Sequence, residues 1–256
     1  MSLMLCPKCA YQRLPSDTHV HAGVCPSCGI AYQKYIDRQR HGPPVETPLD
    51  YEEVPAIRAV VAARLLESPA RVDSVAVGGR ALAWSLFAVW TLWFSWHGLD
   101  WEIIGSSFMH RVILPFHEFG HVLFRPLGRF MAILGGSLFQ VTMPLGLMLA
   151  FILKQRDTFG ASIMLWWAGQ SLVDVAPYIE DAPLRHLPLI GGGGGEGHDW
   201  GNMLTMLGWL DHARALALLS FWMGLLVMFT ALAWGALLLR LQYAKLQSSE
   251  RLAATR

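Results

Sequence analysis

The sequence predicts an all-α polytopic membrane protein of about five transmembrane helices, preceded by a small N-terminal domain organised by metal rather than by a hydrophobic core. Three observations carry that expectation. Of 256 residues, 54% are hydrophobic and only 15% charged, with a mean hydropathy of +0.36. The apolar residues concentrate after residue 80, in runs close to the roughly 20 residues that cross a hydrocarbon core of about 30 Å. All four cysteines lie in the first 28 residues, as two Cys-x-x-Cys pairs. A net charge of +1 offers no electrostatic basis for binding nucleic acid, and none is expected as a partner.

The first domain, residues 1–37, carries Cys6-Pro-Lys-Cys9, fifteen intervening residues, and Cys25-Pro-Ser-Cys28-Gly29. Two such knuckles suit one tetrahedral zinc held by four thiolates, each knuckle turning sharply to present both sulfurs. A disulfide pairing is the competing reading, and a reducing cytoplasm weighs against it. With every position filled by sulfur the zinc is structural, replacing a core that about 35 residues could not otherwise build. His19 and His21 between the knuckles are spare ligand candidates or plain loop residues. The segment resembles the short zinc ribbons that precede many bacterial membrane proteins, which makes it a candidate docking module for a protein partner. The opening MSLMLCPKC lacks the basic start and apolar core of a secretory signal, so the ribbon is expected in the cytoplasm and the body in a bacterial inner membrane.

Residues 38–80 read as a linker. His41-Gly42-Pro43-Pro44 and Thr47-Pro48 break regular structure, and Val54 to Leu66 fit one short amphipathic helix with Arg58 and Arg64 on its polar side, suited to a membrane surface or to packing on the protein. Arg71 and Arg80 precede the first apolar run and hold that end in the cytoplasm.

The membrane body is placed at 81–245, with a polar tail at 246–256. Its hydrophobic segments are Ala81 to Leu99, Ser106 to Leu127, Phe130 to Leu153, Gly160 to Ile179 and Ala213 to Leu241. Trp84, Trp90, Trp93, Trp96 and Trp101 crowd the first and suit interfacial anchoring. The third contains Gly135-Gly136 and Pro144, which allow a bend or a re-entrant stretch. Full crossing of the third segment carries the fourth inward and sets Asp174 level with the second segment's histidines, near the cytoplasmic boundary. Turning back instead puts Lys154, Arg156 and the basic C-terminus in the cytoplasm, as the charge rule prefers. The need for metal ligands at one depth favours full crossing.

The second segment contains His117-Glu118-Phe119-Gly120-His121. On a helix the two histidines project from one face a turn apart and can share a metal, and Glu118 beside them can act as general base on water. Three ionisable groups within five residues of an apolar segment mark a functional site, because each is costly in hydrocarbon. A catalytic zinc needs a third protein ligand. Asp174, the one acid well inside the fourth segment, is the leading candidate, followed by Asp181, His198 and Asp199. His110 and Arg111 read as structural, and Gln140 or Gln170 could assist an oxyanion. Haem ligation by His97, His110, His117 and His121 leaves Glu118 without a role.

These motifs resemble the site-2 protease family of intramembrane zinc metalloproteases, in which a membrane-embedded HExxH helix is joined by a later segment bearing Asn-x-x-Pro and a ligand Asp. His117, Glu118 and His121 match the first motif. Asp174-Val-Ala-Pro177 stands where Asn-x-x-Pro is expected, and Asp181 falls near the ligand Asp but precedes Ala182 rather than Gly. The resemblance spans residues 106–182. It implies one catalytic zinc besides the structural one, a zinc-dependent endopeptidase, and the transmembrane helix of a membrane-protein substrate as its target. The other function class is a non-catalytic scaffold in which zinc braces the bundle.

Overall fold

The computed structural model describes residues 5–42, 56–69, 72–188 and 194–254. Two units emerge, Met1–Val54 and Pro55–Arg256. The described residues are helical apart from loops and two isolated antiparallel bridges, Leu5 with Gln12 and Val24 with Ala31. Those bridges close the two cysteine knuckles of the first unit, which ends in helix α1, Tyr32–His41. Residues 43–55, with the linker prolines, and Arg71 lie outside the described residues.

The second unit begins with α2 (Ile57–Leu65) and α3 (Ser74–His97). It continues through α4 (Trp101–Gly105), α5 (Phe108–Phe124), α6 (Arg129–Ala150) and α7 (Thr158–Glu180) to α8 (Asp199–Leu207) and α9 (Ala213–Ala254). Short polar side chains start these helices by accepting otherwise orphaned N–H groups. Asp73 accepts from Ala76, Ser107 from His110 and Asp157 from Gly160. Helix α9 continues into the stretch expected as a polar tail, as far as Ala254. The helix expected over 54–66 forms as α2 from Ile57 to Leu65, and none of its residues is buried. It is tied to the unit at its C-terminal end, where Trp234 Nε1 donates to Leu65 O at 2.9 Å.

Helix α7 forms the centre of the body and is buried along most of its length. Phe94, Ile104, Trp166, Val173, Phe221 and Met228 build the main core between α3, α4, α7 and α9. Gly169 and Gly224 bring α7 and α9 into backbone contact, since a Cβ on Gly169 would meet Gly224 O at 2.7 Å. Small residues at such crossings are how helices associate where burial alone provides no drive.

Among the described residues, three stretches are long and apolar enough to cross a membrane: Ser74–His97, Arg129–Gln155 and Leu210–Leu252. The start of α3, the α6–α7 turn and late α9 share one end of the bundle, the basal end. Arg80 donates to Gln242 at 2.8 Å and lies 3.6 Å from Asp157, while Thr158 donates to Glu67 O at 2.7 Å. The opposite, distal end gathers Leu99, Tyr178, Ile179, Trp200 and Leu216 in one apolar cluster. Helix α5 is entered from this distal end and leaves into α6, which itself finishes basally. It therefore begins and ends distally, and does not run the length of the bundle.

This corrects the expected order of crossings. At 17 residues α5 is about 25 Å long, short of the core thickness. Removing it from the count puts Lys154 and Arg156 at the same end as Arg80, which is the arrangement that charge bias favours. Gly135 and Gly136 do not interrupt α6, which is one continuous helix through them and through Pro144. Of the clustered tryptophans, Trp96 (88% exposed) and Trp93 (54%) face outward, whereas Trp84 donates to Leu232 O at 2.8 Å and Trp101 lines an internal cavity.

Candidate metal centre

The first unit brings Cys6, Cys9, Cys25 and Cys28 together as a group able to hold a metal ion. All four are free thiols, so the competing disulfide pairing does not form. Sulfur separations of 3.7 Å for Cys6–Cys28 and Cys9–Cys25 match the edge of a tetrahedron with metal–sulfur bonds of about 2.3 Å, roughly 3.8 Å. The knuckles repeat one fold: Ala10 and Gly29, each directly after a second cysteine, both take positive φ, 57° and 71°. Burial raises the Cys25 thiol pKa, but the backbone N–H groups of Cys28 and Ser27 outweigh it and hold the group down to about 6. His19 is exposed, and His21 accepts from Gly23 N–H instead of joining the sulfurs. Arg13 and Asp17 went unremarked in the sequence, yet they organise this unit. The Arg13 guanidinium donates to Asp17 O (2.9 Å), Val24 O (3.0 Å), His21 O (3.2 Å) and Val20 O, and Asp17 accepts from Tyr11 and the Leu14 N–H.

The second group is His117, Glu118 and His121 on α5, whose ligand atoms lie within 4.8 Å of one another. Both imidazoles are oriented from behind. Gln140 donates through Nε2 to Ser171 O at 2.9 Å, so its Oε1 accepts from His117 Nδ1–H at 2.7 Å. His121 Nδ1–H donates to Ala132 O at 2.8 Å. With Nδ1 committed in each ring, both Nε2 atoms turn the same way, the arrangement that outer-shell partners impose on metal-binding histidines.

Facing both is Asp199, whose Oδ2 lies 3.2 Å from His117 Nε2 and 3.2 Å from His121 Nε2. At this spacing each Nε2 attracts the carboxylate oxygen through a positive charge between them, whether a proton on the ring or a metal ion shared by all three. The spacing agrees with the edge of about 3.3 Å expected for bonds of 2.0–2.1 Å to a tetrahedral ion. The donor set thus fits a divalent metal with three protein ligands. Glu118 is exposed to the adjoining cavity.

The third-ligand expectation changes accordingly. Asp174 is buried, but its Oδ1 accepts from His110 Nδ1–H at 2.9 Å; the carboxylate at both histidines is Asp199. Asp174 sits on α7 and is claimed by the start of α5, whereas Asp199, one of the other candidates, arrives from the distal connection that follows the glycine run. Tyr178 fixes Asp199 by accepting its N–H at 2.8 Å, with the phenol O–H 3.3 Å from Oδ2. Asp181 and His198 serve the same distal connection. Asp181 accepts from Leu187 N–H at 2.8 Å, and buried His198 caps α8 by accepting from Gly201 N–H at 3.0 Å. His198 Nε2 lies 3.2 Å from Asp181 Oδ2, though not aligned for a hydrogen bond.

Gly136 is the least expected participant. A Cβ there would stand 2.6 Å from His117 Nε2 and 2.6 Å from His121 Nε2. Its partner contact is equally tight: a Cβ on Gly120 would meet Gly135 O at 2.2 Å. The glycine pair therefore lets α6 lie directly against the ligand face of α5. Gln140 is a positioning group for His117, with both ends engaged, and is not an oxyanion donor. Gln170 has neither amide atom bonded and is fully buried.

A cavity of about 440 Å³ adjoins the centre, lined at one side by His117, Glu118, His121 and Asp199 and at the other by His110 and Asp174. The centre stands by the C-terminal part of α7, toward the distal end. The histidines are expected near the cytoplasmic boundary, the end at which α3 begins, and the structure puts them toward the other end. Comparison with protein-family models, curated proteins and solved structures finds no match.

Proposed function

We propose that the chain is a zinc-dependent intramembrane endopeptidase acting on a transmembrane segment of a membrane-protein substrate. The observation that carries this reading is the convergence of His117 Nε2, His121 Nε2 and Asp199 Oδ2 at 3.2 Å, beside a cavity onto which Glu118 opens. The similarity of His117-Glu118-x-x-His121 to the site-2 proteases supports it. A zinc bound there supplies the Lewis acidity that makes water a nucleophile near neutral pH. Glu118 takes the proton from the attacking water and returns it to the leaving amine. Tyr178 and Gln140 hold Asp199 and His117 in place while the bond breaks. The thiolate cluster holds a second, structural zinc and forms the ribbon.

In this reading α7 crosses the bilayer along with the three more apolar helices, its polar groups turned inward, and α5 enters from the distal side without spanning. The basal end, with Arg64, Arg80, Lys154, Arg156 and Lys245, is taken as the cytoplasmic one, against Arg125 and Arg129 at the distal α5–α6 turn. The metal centre then opens toward the opposite face of the membrane.

The test is Glu118→Gln in purified protein. Two zinc per chain are expected in both forms, with cleavage of a test transmembrane helix in wild type only. Equal cleavage by wild type and variant removes Glu118 from the chemistry, and zinc-loaded wild type that cuts no helix leaves the bracing role of the metal.

A further inference from the structure

Asp199 reaches the histidines from the first turn of α8, a helix of nine residues, so the ligand is placed only as well as α8 itself is placed. Two directed contacts act on its first two residues. Tyr178 accepts the Asp199 N–H at 2.8 Å, and Trp200 Nε1–H donates to Ser137 Oγ on α6 at 3.0 Å. Leu204 packs with Ala182 and Ala213, but apolar contact has no direction. Alone, these contacts leave the rotation and tilt of α8 open, and a bond tolerance of about 0.2 Å at a metal allows neither.

Arg185 closes that freedom. Just beyond α7 its backbone takes a left-handed turn, φ 57°, which a residue with a Cβ disfavours, and its N–H donates to Asp181 O at 2.7 Å. The guanidinium reaches across to α8. Nη1 donates to Gly195 O at 3.1 Å and to Asn202 Oδ1 at 3.3 Å, and Nη2 donates to Thr205 Oγ1 at 3.1 Å. Both side-chain acceptors are turned toward it, because Asn202 gives its Nδ2–H to Glu196 O at 2.8 Å and Thr205 its hydroxyl hydrogen to Gly201 O at 2.6 Å. Gly201 lets the fork lie against the helix: a Cβ there would stand 2.6 Å from Arg185 Nε. At 3.6 residues per turn, Gly201 is roughly 200° round α8 from Asp199, so the fork grips the back of the turn whose front carries the ligand. Thr205 lies six residues beyond Asp199, about 9 Å along the axis, which gives the grip leverage over tilt. All three acceptors are neutral and need directed donors in one plane, which arginine supplies and a lysine ammonium does not.

We infer that Arg185 is a positioning residue of the metal centre: by clamping α8 to the end of α7 it holds Asp199 Oδ2 at the two Nε2 atoms, without touching the metal. The inference rests on Asp199 as the third ligand of the zinc and not on proteolysis, and metal binding tests it independently of turnover.

The experiment measures zinc affinity of the full-length protein in detergent by chelator competition, with the zinc of the cysteine unit counted separately by its release with a thiol reagent. Arg185→Gln is expected to weaken zinc at the α5 centre by about 10–100-fold, the effect of losing an outer-shell partner, and to leave the zinc of the cysteine unit unchanged. Arg185→Lys keeps the charge without the fork and is expected to stay at least about tenfold weaker than wild type. In an Asp199→Ala background the same Arg185→Gln change is expected to alter affinity by less than about twofold, because its route to the metal is gone. Thr205→Val removes one acceptor with little change of shape; it is expected to show the same pattern at about three- to tenfold, and it stands in for Arg185→Gln if that variant is not monodisperse. An equal loss with and without Asp199 assigns Arg185 to the stability of the fold and overturns the clamp. Wild-type affinity in Arg185→Gln, in Arg185→Lys, or in Thr205→Val where it stands in, overturns it too. Affinity untouched by Asp199→Ala removes the third ligand and the clamp with it, whereas a loss in Asp199→Ala with none in Arg185→Gln removes the clamp alone. The expected affinities in a protein that cuts no helix keep the clamp and remove the protease.

Discussion

Replacing Gly136 by alanine adds one methyl group to an α-helix, a change that helix propensity favours by roughly 0.5–1 kcal/mol. The tertiary structure reverses that expectation. The new carbon would stand 2.6 Å from both Nε2 atoms, and ordinary contact begins near 3.4 Å, so the histidines or α6 must retreat by about 0.8 Å. Metal–ligand bonds tolerate about 0.2 Å. Two of three ligands are therefore displaced by several times the tolerance, and at least a hundredfold loss of metal affinity is expected at this centre. The four cysteines belong to the first unit and Gly136 to the second, so Gly136→Ala is expected to purify with one metal per chain and wild type with two, measured by elemental analysis after gel filtration. Gly78→Ala on α3 is the control: nothing lies within 4 Å of its Cβ, and it should retain both metals. Two tightly held metals in Gly136→Ala, with helical content and melting unchanged, would refute the placement of the histidines against α6.

Asp199→Ala should lose the membrane metal while Asp174→Ala keeps it, again by metal content; the reverse result restores Asp174 as the ligand. Gln140→Leu removes the acceptor that orients His117 and should weaken metal binding about 10–100-fold in a chelator competition, with the fold intact. Thr91→Val leaves the buried Trp166 Nε1–H, now bonded to Thr91 Oγ1 at 2.8 Å, without a partner, and should cost about 1–3 kcal/mol in a detergent unfolding titration. Cys25→Ser should release the metal of the first unit and leave that of α5, which gel filtration followed by elemental analysis separates from Gly136→Ala when the two changes are combined to give none.

Much of the helical body was legible because hydrophobic run length reports directly on membrane-compatible helices. The first, third and fifth segments correspond to the three helices long and apolar enough to cross. The second segment misled, because apolar composition does not distinguish a helix that traverses a bundle from one that enters and leaves at the same end. That error carried forward. It reversed the direction of α7 relative to α3, and so put the centre at the wrong end and lent Asp174 a depth argument it did not merit. Charge bias was divided: Lys154, Arg156 and the basic C-terminus pointed to the end they share with Arg80, whereas Arg125 and Arg129, which the same rule assigns to the cytoplasm, lie at the α5–α6 turn at the opposite end.

The sequence by itself determined the chemical units: four cysteines in two knuckles, and two histidines and a glutamate at helical spacing. These are set by residue type over five or fewer positions, where backbone geometry fixes what can meet. Only the tertiary structure decided the rest of the centre. Asp199 lies 78 residues beyond His121 in the chain and reaches it through Tyr178 and the cap of α8. Gly136 and Gln140 act through the crossing of α5 with α6, and His110 meets Asp174 across 64 residues. Such pairings depend on how helices cross and where a connection returns, which no local pattern encodes.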